Sequence, residues 1–200
     1  MNRRTLTLGT ALVAFMMATT LIAPTVAADQ AAIKFTKKVA NDLLAANRSG
    51  TITSFARVLR RHADIPGISI YSLGKYQRFL PSSQNKRYYN GVTAFMARYF
   101  ADQTREYRVA KADVLDAKKA EGSDIAVNTL VTLRTGNKYT VQFLLRPAGN
   151  SFKIADVKVS VPIVGFVSLT YQQRGIFQKF LVKKGGDQRA VNQLVETLNR

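Results

Sequence analysis

The chain is 200 residues long, has no cysteine and a single histidine, and carries 30 Lys and Arg against 12 Asp and Glu, a formal charge of +18. Without cysteine it has no disulfide and no lipid-attachment thiol, and His62 alone cannot build a multi-histidine metal site. The basic residues are spread without any block of five, a balance that favours anionic partners: a membrane surface, phospholipid headgroups, nucleic acid or an acidic protein.

The N-terminus reads as a targeting segment. Met1-Asn2-Arg3-Arg4 is a short positive region, Leu6 to Ala23 is apolar with interspersed Thr and Gly, and small residues follow at Pro24-Thr25-Val26-Ala27-Ala28. This layout predicts a signal peptide over residues 1–28, cleaved after Ala28 or one residue earlier. Arg3-Arg4-Thr5-Leu6 partly matches a twin-arginine signal, and either export route delivers the chain to the periplasm. Export argues against nucleic acid as a partner. Residues 29–200 remain, long enough for a single domain with a sizeable core, and no linker or repeat divides them.

The first half predicts helices. Ile33, Val39, Leu43 and Leu44 recur through Ala31–Ala46, and Gly50 marks a break. Phe55, Val58 and Leu59 follow on one side of Ile52–Arg61. Asp64-Ile65-Pro66-Gly67 signals a turn into a short helix that Gly74 ends. A long helix is expected from Pro81-Ser82-Ser83, with either serine as its cap, to about Asp102.

The second half changes period. Alternation through Ile125–Leu133 is strand behaviour, Arg134-Thr135-Gly136-Asn137 reads as a hairpin turn into Tyr139–Leu145, and Pro147-Ala148-Gly149-Asn150 turns into Phe152–Val161. Tyr107–Leu115 leads into this meander, giving about four antiparallel strands. Two helices close the chain, the first with Leu169, Gln173, Ile176, Phe177, Phe180 and Leu181 on one face, the second capped by Asp187. The expected architecture is α+β: a twisted antiparallel sheet with helices on one face, enclosing an apolar cavity.

Enzyme signals are poor. There is no G-x-S-x-G and no phosphate-binding glycine loop. His62 and Asp64 are close in sequence and could be written as an acid–base pair, but a solvated helix end suits them better. Asp156, inside an apolar strand, is the one carboxylate expected to be partly buried. No cofactor is expected. The apolar inventory is richer than a compact domain needs. Along Leu73–Phe100 an aromatic turn (Tyr76, Phe79) precedes a stripe of Tyr88, Val92, Phe95 and Tyr99 at helical spacing. Such a stripe serves as an ordinary core face or as one wall of a lipid cavity. With Ile68, Tyr71, Leu73, Leu130, Phe143, Leu145, Val161, Ile163 and Phe166, these are the candidate cavity residues. Each buried CH2 of an acyl chain is worth about 0.8 kcal/mol, so a slot lined by such residues holds lipid without any sharp motif.

In this order and spacing the residues resemble a known family, the MlaC-type periplasmic phospholipid-binding proteins. The similar features are Arg57, Leu59, His62, Asp64 and Ile65; Leu73-Gly74-Lys75-Tyr76; Gln84, Arg87, Tyr88, Phe95 and Tyr99; Ile154-Ala155-Asp156-Val157; and Ser168, Leu169, Arg174 and Phe177. The resemblance implies a soluble monomeric carrier, not an enzyme, whose acyl chains insert between sheet and helices. It implies phospholipid as cargo, and as partners an inner-membrane ABC-transporter complex and an outer-membrane lipoprotein–porin complex. Such a shuttle maintains outer-membrane lipid asymmetry. One departure concerns the stretch after Asp156. The family has a short acidic-Gly-Ser link there, whereas this chain has Ser160-Val161-Pro162-Ile163-Val164-Gly165-Phe166-Val167. A carrier of another lipid such as a hopanoid fits that as well. An enzyme on a related α+β cone scaffold and a purely electrostatic adaptor stand as alternatives.

Overall fold

The structure, a computed structural model, describes residues 24–200, so most of the expected signal peptide lies outside the described residues. The first element, α1 (Pro24–Ser49), already contains Ala28, and Gly50 at φ 63 ends it. Next comes α2 (Ile52–His62), whose N-cap Thr51 accepts the Ser54 N–H. In α3 (Ile65–Leu73) the N-cap Asp64 accepts the Gly67 N–H at 3.0 Å, and Gly74 closes the helix at φ 55. These caps satisfy amides that a helix start leaves without partners.

The long helix begins later than its serines predicted. Ser82–Gln84 form a 3-10 turn, and α4 (Asn85–Glu106) starts after it with no side-chain cap. The strands are β1 (Val109–Lys119), β2 (Ile125–Leu133), β3 (Lys138–Ala148), β4 (Ser151–Val161) and β5 (Gly165–Ser168), paired in chain order as an antiparallel meander. The expected count of about four is thus five. The apolar run read as a link is the β4–β5 hairpin, with Val161 opposite Gly165 and Lys158 opposite Ser168. Two helices follow: α5 (Leu169–Lys183), where Ser168 accepts the Tyr171 N–H, and α6 (Gln188–Leu198), where Asp187 accepts the Ala190 N–H.

The apolar residues sort into three clusters. One joins α1 to the sheet through Ala32, Val39, Val127, Phe143 and Leu145. Another joins α4, α5 and α6 through Tyr88, Val92, Phe177, Leu181 and Val195. The third joins the C-terminal part of α1 to α2 and α4 through Ala46, Phe55, Val58 and Ala97. Burying one such large side chain stabilises the fold by about 1.5–3 kcal/mol.

Polar contacts fix the helical layer to the sheet. Ala63, at the α2–α3 corner, bridges Ile154 of β4, with Asp64 N–H donating to Ile154 O at 2.9 Å. Arg146 of β3 reaches Asp64 Oδ2 at 3.0 Å and Asp124 Oδ2 at 3.2 Å. Its hydrogen bond to Asp124, with the two carboxylate charges, holds the guanidinium more firmly protonated than usual. The Lys153 ammonium donates to Arg61 O at 2.6 Å.

Candidate functional site

Where the three clusters meet, the packing leaves a cavity of about 100 Å³ between the inner face of the sheet and the helices. Phe143 of β3 and Ile154 and Val157 of β4 form its sheet side. Phe143 lies directly opposite Val157, and the β-bulge at Ala155, which pairs Leu144 with Asp156 but Leu145 with Ile154, brings Ile154 round to the same side. Opposite them, α2 contributes Val58 and Leu59, α3 contributes Ile68, and α4 contributes Phe95, Met96, Tyr99 and Phe100. Leu169, Thr170, Gln172, Gln173 and Ile176 of α5 line another wall. Phe143, Ile154 and Ile68 are buried, whereas Tyr99 and Ile176 are 41% and 53% exposed, so the cavity opens to water between α4 and α5.

Polar groups occur in the wall mainly where α5 begins. Asp156 Oδ1 accepts the backbone N–H of Val157 at 2.8 Å and of Thr170 at 3.1 Å. It therefore shares with Ser168 the task of satisfying the first turn of α5, where the helix dipole also favours an anion. Gln173 Nε2 donates to Ser72 Oγ at 2.7 Å, and Ser72 donates on to Ile68 O at 2.7 Å. On the outer surface Arg174 stacks over the Tyr71 ring, 4.7 Å from its centroid, and donates to Tyr71 O at 3.3 Å. An apolar chamber with polar groups at one end is suited to an amphipathic ligand, its tail enclosed and its head toward water.

Of the residues expected in the cavity, the structure brings Ile68, Phe95, Tyr99 and Phe143 together in its lining. The others are placed elsewhere. Leu73, Tyr76, Tyr88 and Val92 belong to the cluster around α6, with Phe79 packed against it. Tyr88 is fully buried, donates its hydroxyl to Ser69 O at 2.9 Å, and has its phenol pushed far above the usual range by that burial. Leu145 packs under α1. Leu130 sits at an even position of β2, while the buried face carries Ile125, Val127 and Thr129, so it faces away from the cavity. Tyr71, Val161, Ile163 and Phe166 are exposed. Leu43, Val58, Leu59, Ile154 and Ile176 line the cavity although they are not among its expected residues. Each lies on an apolar helix face or strand alternation, and only the tertiary arrangement separates cavity from core.

The His62–Asp64 pair does not form. His62 Nε2 lies 2.7 Å from Asp42 Oδ2 of α1, while Asp64 caps α3 and pairs with Arg146. Among the described residues no three His, Asp or Glu side chains are grouped to hold a metal ion, and no helix is long and apolar enough to cross a membrane.

The geometry defines a class: an α+β domain with a curved meander sheet, helices over one face, and a narrow apolar cavity between them. A sequence model of the MlaC protein family matches residues 29–199, and the chain belongs to that family. Among solved structures it is similar to the phospholipid-binding protein from Ralstonia solanacearum, determined in complex with a phospholipid. That likeness has 17% identity and a TM-score of 0.67, covering 86% of this chain and 97% of the other, and it shows a shared fold. No curated protein matches the sequence significantly.

Proposed function

We propose that the protein is a phospholipid carrier of the periplasm, released from a signal peptide ending at residue 28. It takes acyl chains between sheet and helices and leaves the headgroup in water. It passes lipid between an inner-membrane ABC-transporter complex and an outer-membrane lipoprotein–porin complex, maintaining outer-membrane asymmetry. The observation that carries this reading is the apolar cavity between sheet and helices, open between α4 and α5. The family membership and the lipid-bound structure with the same fold support it. At about 100 Å³ the cavity is well below the roughly 300 Å³ or more of an ordinary ligand pocket, so loading requires α4 and α5 to part. Organic extraction of the purified protein followed by mass spectrometry tests the proposal. Stoichiometric phospholipid is expected. A different lipid, such as a hopanoid, would change the cargo, and no lipid would end the carrier reading.

A second reading has one observation in its favour: Asp156 lies in the cavity wall. An enzyme acting on an apolar substrate would use such a carboxylate as acid or base. Both hydrogen bonds found for Asp156 go to backbone N–H groups, which favours a structural role. Asn in its place separates the two readings, as argued below.

A further inference from the structure

The β4–β5 hairpin projects from the rim of the cavity. Val157 at its base and Leu169 just beyond β5 both line the cavity, so the residues between them extend from its edge. The tip, Val161-Pro162-Ile163-Val164-Gly165-Phe166, is exposed throughout: Ile163 completely, Val164 at 71% and Phe166 at 47%. Ile163 also stands at φ 71, a left-handed conformation that a β-branched residue adopts only at a cost. With its side chain wholly in water, the fold gains no packing from it. Asn or Gly would occupy that backbone with less strain, so the apolar side chain calls for a role outside the fold.

The sequence that follows the buried Asp156 is one-sided in charge. From Val157 to Gly186 the sequence contains Lys158, Arg174, Lys179, Lys183 and Lys184 and no Asp or Glu. An apolar tip on a hairpin that carries Lys158, in a chain of formal charge +18, complements a bilayer with anionic headgroups, where tip and cations both gain. The tip is convex and only a few residues wide, far from the roughly 800 Å² per partner of a stable protein interface.

We propose that the β4–β5 hairpin is a membrane wedge: Ile163, Val164 and Phe166 enter the outer acyl layer of an anionic bilayer and set the cavity mouth against the lipid surface. The insertion stands on the hairpin alone. Its use in moving lipid into the cavity rests on the carrier reading.

The chain has no tryptophan, so Val164→Trp supplies a sole indole reporter at the tip. The probe is vesicles of phosphatidylcholine with and without phosphatidylglycerol, mixed with the protein in the form that cells release. Expected are a blue shift and quenching by brominated acyl chains, stronger with phosphatidylglycerol. Wild-type protein should also co-float with these vesicles. Ile163→Asp with Val164→Asp, which leaves the left-handed position to a more tolerant residue, should weaken vesicle binding by on the order of tenfold or more. An indole that stays solvent-exposed on vesicles, or a double variant that binds as wild type, overturns the wedge. A shift seen only with a solubilised envelope-protein fraction also overturns it, in favour of protein docking. Lipid extraction of the same samples is read separately: protein that lacks lipid yet shows the indole shift sinks the carrier reading and leaves the wedge standing.

Discussion

His62 Nε2 lies 2.7 Å from Asp42 Oδ2, and this contact ties α2 to α1 at a place where the imidazole is 3% exposed. Phe35 of α1 meets the same ring edge-on at 5.7 Å, so His62 is held by a carboxylate on one side and an aromatic ring on another. The hydrogen bond from His62, with its charge and those of Arg61 and Lys38, holds the Asp42 carboxyl below its ordinary 3.8.

A carboxyl lowered in the folded state stabilises the fold fully above its unfolded value and loses that contribution as pH falls through the folded value. Asp42→Ala should therefore cost about 1–2 kcal/mol near neutral pH, since it also strips a buried ring of its partner. The difference from wild type should shrink as pH drops below 3.8. Thermal melts of both proteins across the acid range measure this. A gap that stays constant down to the lowest pH would place the effect in packing instead.

The α4 helix should divide functionally along its length. Twenty-two residues at 1.5 Å each carry it about 33 Å, past two different apolar clusters. Tyr88→Phe removes a buried donor and leaves Ser69 O without it, a loss of about 1 kcal/mol or somewhat more in chemical denaturation, with lipid per folded molecule unchanged. Phe95→Asp puts a charge into the cavity lining, where the ring also meets Phe177 at 5.2 Å, and lipid content should fall several-fold. Ile176→Asp makes the same test at a half-exposed site, with stability expected to hold within about 0.5 kcal/mol. A folded Ile176 variant with full lipid would remove that residue from the site.

This division explains what the sequence could convey. The helical period of Tyr88, Val92, Phe95 and Tyr99 is a local property, and it correctly places them on one face. Which neighbour covers each turn depends on α5 and α6, a hundred residues away, so the stripe cannot announce that Tyr88 packs the fold while Tyr99 opens to the cavity. Strand alternation carries the same ambiguity. It puts Val127 and Leu130 on opposite faces without telling which face is inner, and the structure turns Leu130 away from the cavity. The fifth strand was hidden for another reason. Val161-Pro162-Ile163-Val164-Gly165 has no polar turn signal beyond Pro and Gly, and the hairpin depends on Ile163 adopting a conformation its side chain disfavours. By contrast Gly74 and Asp187 act within a few residues of themselves, and the stop of one and the cap of the other are readable from the sequence. The turn signal at Asp64 does not by itself reveal that its side chain caps α3.

Asp156 distinguishes structure from catalysis. Its Oδ1 holds the N–H groups of Val157 and Thr170, so Asp156→Ala should cost about 1–2 kcal/mol through loss of the α5 cap. Asp156→Asn keeps an oxygen acceptor at that place and should recover most of the stability and all of the lipid content. Chemical denaturation and lipid extraction report both. If Asn preserves the fold but abolishes turnover of an apolar ester or related substrate, the carboxylate is reactive and the enzyme reading replaces the carrier.

Gly74 sets the distance between α3 and α5. It stands at φ 55 and ψ −128, a region that residues with a Cβ avoid. A Cβ there would lie 2.4 Å from Gln178 Nε2 and 2.9 Å from Arg174 Nη2. Both ends are flexible, so the side chains can move aside, but the backbone strain remains. Gly74→Ala should lose about 1–3 kcal/mol of stability, and displaced Arg174 should give up its place over the Tyr71 ring. Because α5 forms one wall of the cavity, lipid retention should fall along with the melting temperature. Gln178→Ala in the Gly74→Ala background separates the causes: it removes the closest contact but not the dihedral. If the double variant regains full stability, the close approach of α5 and not the backbone conformation is what requires glycine at this corner.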